Sequence, residues 1–517
     1  MIWTMAVLPL VVVLGLITGL RRPAHWAALA GVATAVALIA WRPEFTVTGA
    51  VLGSGAAAAG LLVLNAAAVM LPGVYLSQVL TRRGVHDSLR DWVRALPLPG
   101  PAKIALVVAG IAPMVEALTG FGVSLLVTVP VLLALAPPAT ALRQAMLGMN
   151  IMPWGTLGLA TVIGASLTAL PVGTLGTATA LTSALIFPVV AVWAALLARP
   201  RHRTRAILVA ASAGLTCSAG LLLWNRLGVV APAGVLAGLF TTAAGLALSA
   251  LWRARSSRVE PDVNVSAHAT SAPRSAAVNA LEHKAIGVAE RTESAGGLMP
   301  PASVLRAYGL VLGGIAVLRA ATAAGAPSLA VHAGGASFAL LTSPGLPLLA
   351  AALLLDRGRP SVGDARAALT RVARPLFALS GFVILGRLMA DSGMIARVGA
   401  AVAEAPEVVV ALATPALGMV SGFVTGSNVG GNVLMMPLQQ QLAPEGLGVW
   451  FAALQNSGAG HAVFTSLPMI MLILAVSGER ARAAGISEHT LLRFGMRVAV
   501  AIYAVLASAA LLALALG

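Results

Sequence analysis

The sequence predicts an all-α, polytopic integral membrane protein, and three observations carry that prediction. Of 517 residues, 59% are hydrophobic and only 10% charged, against about 25% charged in an ordinary soluble domain. The mean hydropathy is +0.93. Runs of mostly apolar residues recur from Ile2 to Leu516, many of them reaching the ~18–20 residues a helix needs to cross the hydrocarbon core.

Taken in order, the first run, IWTMAVLPLVVVLGLITGL, has no basic residue before it and Arg21 and Arg22 after it. That is the reverse of a secretory signal peptide, so it is expected to stay as a helix with its N-terminus outside. Twelve spanning helices are expected, at 2–20, 24–41, 49–80, 143–168, 174–197, 206–224, 228–251, 304–323, 335–355, 372–392, 447–475 and 494–516. Two more apolar segments, 103–136 and 407–442, are interrupted by TGFG and TGSNVGGN. Each reads as a hairpin that enters and leaves on one side. With this topology the cytoplasmic segments hold 28 of the 33 Lys and Arg residues, as the positive-inside rule requires. The net charge of +16 therefore belongs to loops, not to a nucleic-acid face. The one long polar stretch, 253–303, reads as a cytoplasmic linker. It separates N-terminal helices (1–48) and a first repeat (49–252) from a second repeat (304–517). The single cysteine, Cys217, excludes an internal disulfide and offers no metal cluster.

The repeat rests on a shared offset. Thr119-Gly120 and Thr425-Gly426 stand 306 residues apart, as do Val123 and Val429, and Asn150 and Asn456. Each asparagine follows its hairpin in a would-be helix loosened by Gly or Pro. The two hairpins follow the third and tenth spans, so the second half is expected upside down relative to the first. Inverted repeats with broken helices meeting near the midplane are the architecture of secondary transporters. Broken helix ends expose N–H and C=O groups that hold anions and cations. Such backbone must face protein or a water-filled cavity, because lipid cannot satisfy it.

These motifs resemble those of the bacterial L-lactate permeases. EALTGFG (116–122) is similar to that family's EGAAGFG, TGSNVGGN (425–432) to its TGSDTSSN, and QNSGAG (455–460) to its ANTSGG. The resemblance implies an inner-membrane symporter importing lactate or glycolate with protons by alternating access. It carries over Glu116, Gly120, Phe121, Gly122, Thr425, Gly426, Ser427, Asn432, Asn456, Ser457 and Gly458 as site residues. Two positions depart from it. Asn428 stands where the family has an acid, and Phe464 where it has a lysine, which bears on what the site holds.

The polar residues inside spans each carry two readings. Glu116 is a proton carrier, since ionisable groups inside membranes are costly and usually functional, or a cap for the hairpin tip. Arg387 receives a substrate carboxylate, or pairs with Asp391 four residues on. His461, whose imidazole ordinarily titrates near neutrality, relays protons or is a hydrogen-bonded neutral ring. Asn150, Asn428, Asn432 and Asn456 suit the hydroxyl and carboxylate of a small organic acid, or satisfy broken backbone. Thr119 joins the tip residues as a candidate substrate contact. No cofactor, metal site or catalytic pair is recognisable, so the expectation is a carrier and not an enzyme. Its expected partners are the organic anion, the coupling proton and the bilayer, without nucleic acid, and a homo-oligomer is compatible. Another organic-anion carrier, sodium-coupled included, is the alternative. A channel or scaffold is disfavoured because the intramembrane polar residues cluster at two tips.

Overall fold

The computed structural model describes residues 2–120, 122–256, 298–327, 329–333, 336–402 and 404–516. Phe121 and most of the 253–303 linker lie outside the described residues. The first half comprises α1 (Ile2–Gly19), α2 (Ala24–Trp41), α3 (Gly49–Arg82), α4 (Val85–Ala95), α5 (Gly100–Thr119) and α6 (Val123–Leu135). It continues with α7 (Pro138–Leu147), α8 (Leu159–Thr168), α9 (Val172–Thr182), α10 (Ile186–Leu197), α11 (Arg203–Arg226) and α12 (Ala233–Ser256). After the linker come α13 (Ala302–Ala323), a two-stranded antiparallel hairpin of β1 (Ala330–Ala333) and β2 (Ala336–Ala339), α14 (Gly345–Leu355), α15 (Val362–Asp391) and α16 (Met394–Val402). The chain closes with α17 (Glu407–Thr425), α18 (Asn428–Leu442), α19 (Gly448–Ala462), α20 (Leu467–Ser477), α21 (Glu479–Ala483) and α22 (Glu488–Leu516).

Side-chain oxygens start several of these helices. Thr48, Ser361 and Ser427 accept from the N–H groups of Val51, Asp364 and Gly430 at 3.4, 3.2 and 3.3 Å, satisfying donors the first turn leaves free. Among the described residues, ten helices are long and apolar enough to cross a membrane, or twelve when two bent pairs each count as one span. α5 is one of the ten and is buried along nearly its whole length, as a helix apolar on all sides should be. It packs closely on α12, where a side chain at Gly238 would begin 2.6 Å from the Gly110 carbonyl.

Four expected spans are corrected. Segment 143–168 is not one helix: it unwinds over 148–158 between α7 and α8, where Gly155, Leu157 and Gly158 take left-handed backbone. The expected helix over 174–197 divides into α9 and α10, and α9 is bent 116° from the preceding 156–168 segment. Left-handed Ala169 and Pro171 make that corner, because proline cannot continue a helix from the residue before it. Segment 447–475 bends 40° between α19 and α20, at Ser466 and ahead of Pro468. Segment 335–355 yields only the 11-residue α14, its first part being taken by β2, so among the described residues the chain departs from all-α at this one hairpin.

The long helices α3 and α15 pack antiparallel at the centre. Gly55 of α3 lies directly against the Asp391 carboxylate at one end, and Arg82 meets Asp364 at 2.8 Å at the other. Around this pair the contacts cross between halves. α2 packs on α15 as α14 packs on α3, and α1 on α16 as α13 on α4, while within each half α4 packs on α6 as α16 does on α18. The short helix α4 was read as loop, yet it buries Val85, Leu89, Trp92 and Val93 along one face, the spacing of an amphipathic helix.

One ion cluster ties the halves together. Asp356, almost fully buried at the end of α14, accepts from Arg82 at 2.8 Å and Arg83 at 3.1 Å. The Arg82 hydrogen bond holds the Asp356 carboxyl below the usual carboxylate range, and Arg83 adds to it against the cost of burial. A depressed folded-state value means that the unfolded chain takes up the proton first. The stabilisation is therefore complete above the unfolded-state value of about 4 and is lost as pH falls through the folded value. Asp356→Asn is expected to lower the melting temperature in detergent by a few degrees at pH 7. It is also expected to flatten the acid limb of the stability profile, variant and parent converging in strong acid. A melt of each protein across pH checks both.

Candidate functional site

Two helix breaks build the site. At the first, α5 ends at Thr119 and α6 begins at Val123, and Gly120 and Gly122 carry φ of +70° and +72°, a region that side chains disfavour. Glu116, one turn before the break and 1% exposed, folds its carboxylate over the start of α6. It accepts from Gly122 N at 2.9 Å, Ser124 N at 3.3 Å and Ser124 Oγ at 2.8 Å. An acidic group at a helix N-terminus satisfies free N–H groups and opposes the helix dipole. Among the described residues, Arg371 of α15 is a charged group whose field reaches Glu116, more weakly than burial and these hydrogen bonds act on it; the charge count of the sequence places Arg371 in a cytoplasmic loop.

At the second break, α17 ends at Thr425, Gly426 turns with φ +64°, and α18 begins at Asn428. Thr119 and Thr425 close their helices alike, each hydroxyl bonding the carbonyl four residues back, on Val115 and Ser421, at 2.7 and 2.8 Å. Both breaks touch the same two segments. A side chain at Gly426 would begin 3.3 Å from Pro468, and one at Gly122 would begin 3.4 Å from Met469, so both lie on the first turn of α20. Gly120 lies directly against Thr156, and Asn428 reaches Met152 and Pro153, so both also face the unwound 148–158 segment.

Asparagines join these parts. The Asn428 amide donates to the Met152 and Pro153 carbonyls at 3.1 and 3.0 Å, and Asn432 donates to the Ala160 carbonyl at 3.2 Å. Both amides also donate to Asn456 Oδ1, at 3.0 and 2.7 Å. Asn456 Nδ2 in turn donates to Thr161 and Thr179 at 3.3 and 3.1 Å, so its side chain makes the four hydrogen bonds available to it. Ser457 shares hydrogen bonds with Thr182 and Ser183 at 2.7 and 3.0 Å. His461 bonds Ser183 through Nε2 at 2.9 Å and Asn150 through Nδ1 at 3.3 Å. Gly458 lets α19 approach α17, where a side chain would begin 3.0 Å from the Pro415 carbonyl. Ser124 Oγ reaches Met149 at 3.2 Å, linking the Glu116 break to the residue before Asn150.

Among the described residues, the buried network leaves three polar atoms without a partner beside the second break: Asn428 Oδ1, Asn432 Oδ1 and Ser466 Oγ. Buried orphan acceptors are uncommon. The structure thus brings Glu116, Thr119, Gly120, Gly122, Asn150, Thr425, Gly426, Ser427, Asn428, Asn432, Asn456, Ser457, Gly458 and His461 into one region. Arg387 and Asp391 stand apart, paired at 3.1 Å beside Gly55. Thr161, Thr179, Ser183 and Ser466 were missed, since a lone hydroxyl in an apolar helix carries no sequence signal. Among the described residues, no group of three His, Cys, Asp or Glu side chains is placed to hold a metal ion.

A bundle of membrane-length helices, broken around a buried and incompletely satisfied polar cluster, is the architecture of a multi-pass membrane transporter. The chain belongs to the L-lactate permease family, whose model matches residues 3–288 and 303–516. The gap in the match falls within the 253–303 linker. No curated protein matches the chain at a significant level.

Proposed function

We propose that this transporter carries a small 2-hydroxy monocarboxylate, lactate or glycolate, together with protons across the bacterial inner membrane by alternating access. Its core is two inverted repeats, each contributing a re-entrant hairpin (α5–α6 and α17–α18) and an interrupted helix (α7–α8 and α19–α20). The crossed packing of α1–α4 with α13–α16 supports the repeat, as does the closure of both hairpins at a threonine 306 residues apart. The observation that carries the substrate reading is the pair of buried acceptors left without a partner among the described residues, Asn428 Oδ1 and Asn432 Oδ1, on the first turns of α18. A 2-hydroxyl donates to such oxygens. The substrate carboxylate is drawn to N–H groups and positive charge at the helix breaks. An asparagine at 428, where the family's motif has an acid, leaves the second break uncharged and suited to a hydroxyl.

The test is uptake of radiolabelled lactate into proteoliposomes. Accumulation is expected with an inside-alkaline pH gradient and not with a sodium gradient alone. Propionate, which lacks the hydroxyl, should compete at least ~10-fold more weakly than lactate, because it leaves the buried acceptors unpaired. Uptake that follows sodium and ignores pH would overturn proton coupling, and equal competition by propionate would overturn the hydroxyl reading.

A further inference from the structure

Two arginines on α15 face opposite circumstances. Arg387 is paired with Asp391. Arg371 is half-buried and, among the described residues, has neither a hydrogen-bond acceptor nor a carboxylate at ion-pair distance. The group acting on it is Glu116. Its position follows from helix register. The Gly55–Asp391 and Arg82–Asp364 contacts set α15 antiparallel to α3 so that Arg371 stands level with Tyr75. Two residues away, a side chain at Gly73 would begin 3.3 Å from the Thr119 carbonyl and 3.6 Å from Thr156. Arg371 therefore stands, across α3, at the level of the first helix break and the unwound segment.

We propose that Arg371 binds the carboxylate of the transported acid, in competition with Glu116, and that a proton on Glu116 ends that competition. The inference rests on the carrier reading above. Its physical basis is charge: moving a site through a low-dielectric interior is cheapest when its net charge is zero. Empty, Glu116 carboxylate and Arg371 guanidinium cancel. With substrate bound, Arg371 and the substrate carboxylate cancel only if Glu116 carries a proton. Substrate with unprotonated Glu116 leaves one uncompensated negative charge. The same residues thus impose one proton per anion, without a separate gate. Guanidinium suits the task because it grips a carboxylate through two parallel N–H donors.

The experiment measures binding of lactate and of uncharged lactamide to purified protein, by thermal shift and by competition. Arg371→Lys keeps the charge and loses the fork, and lactate affinity should fall about 10-fold. Arg371→Gln should lower it about 100-fold while leaving lactamide within threefold of the parent. Because Arg371→Gln strands the Glu116 charge, the double variant Glu116→Gln/Arg371→Gln, with both charges removed, is the folding control. It should be monodisperse, bind lactamide as the parent does, and fail to bind lactate. Lactate affinity within threefold of the parent in Arg371→Gln or the double variant overturns the proposal, as does an equal loss of lactate and lactamide in the double variant. If the parent binds another carboxylate in place of lactate, that anion must show the same losses. A parent that binds no carboxylate overturns the carrier reading, and this inference with it.

Discussion

Replacing Asn456 by alanine is expected to reduce transport below about one hundredth of the parent rate, a barrier change of ~2.7 kcal/mol or more. The residue is fully buried, and its amide holds together three chain segments that are remote in sequence. Its oxygen accepts from Asn428 and Asn432, and its nitrogen donates to Thr161 and Thr179. Alanine removes all four hydrogen bonds. Such bonds in helical membrane proteins average ~0.6 kcal/mol each, so the loss of stability is about 2–3 kcal/mol and the protein remains folded. Asn428 and Asn432 keep their backbone acceptors but lose the atom that orients both amides, and with it the aim of their free carbonyl oxygens. Asn456→Asp separates geometry from charge. It still accepts from both asparagines, and Thr179 can turn its hydroxyl to donate, while Thr161 already donates to the Pro153 carbonyl at 3.0 Å. The aspartate variant should therefore melt closer to the parent than the alanine variant, yet transport no better, because a carboxylate there repels the substrate anion. Uptake assays paired with melts decide it. Asn456→Ala uptake within tenfold of the parent would remove this residue from the site.

How much of this was legible in the sequence depends on the kind of signal. The breaks at TGFG and TGSNVGGN were legible because glycine and polar residues inside apolar runs have few other uses. That Glu116 is buried was legible in its apolar surroundings. The unwound 148–158 segment was half legible: Pro153, Gly155 and Gly158 announce a loosened helix, but only the structure shows that Asn428 holds its freed Met152 and Pro153 carbonyls. Arg371 was illegible for a specific reason. It sits in a run of basic residues, Arg357 to Arg374, that charge counting assigns to the cytoplasm, and only the register of α15 on α3 carries one of them inward. The helix α4 had a signal that was passed over, since Val85, Leu89, Trp92 and Val93 follow helical spacing inside a segment counted for its charge. The hydroxyl partners Thr179 and Ser183 required the direction of the turn after α8: Pro171 announces that a helix ends there, but not that α9 leaves at 116° and sets both hydroxyls against α19.

Replacing Glu116 by glutamine is expected to separate exchange from accumulation. Glutamine has the shape of the native side chain and keeps part of its hold on the first break. Its oxygen can accept from Gly122 N, and its amide nitrogen can donate to Ser124 Oγ, whereas the Ser124 N–H loses its acceptor. The fold should survive, with a melting temperature lower by a few degrees. What glutamine cannot do is exchange a proton. In the balance set by Arg371, a neutral residue at 116 mimics the protonated carrier permanently: substrate binds and crosses, but the empty site is left with a net positive charge and returns poorly. Lactate-for-lactate exchange across proteoliposomes should therefore stay within about tenfold of the parent. Uptake driven by a pH gradient should fall roughly 100-fold or more, and substrate affinity should lose its dependence on pH. A residue that only caps the hairpin predicts the reverse pattern, in which exchange and driven uptake fall together with stability and pH dependence is unchanged. Accumulation of lactate by Glu116→Gln down a pH gradient at the parent rate would assign the proton to another group. His461, bonded on both ring nitrogens within the same network, would be the next to test.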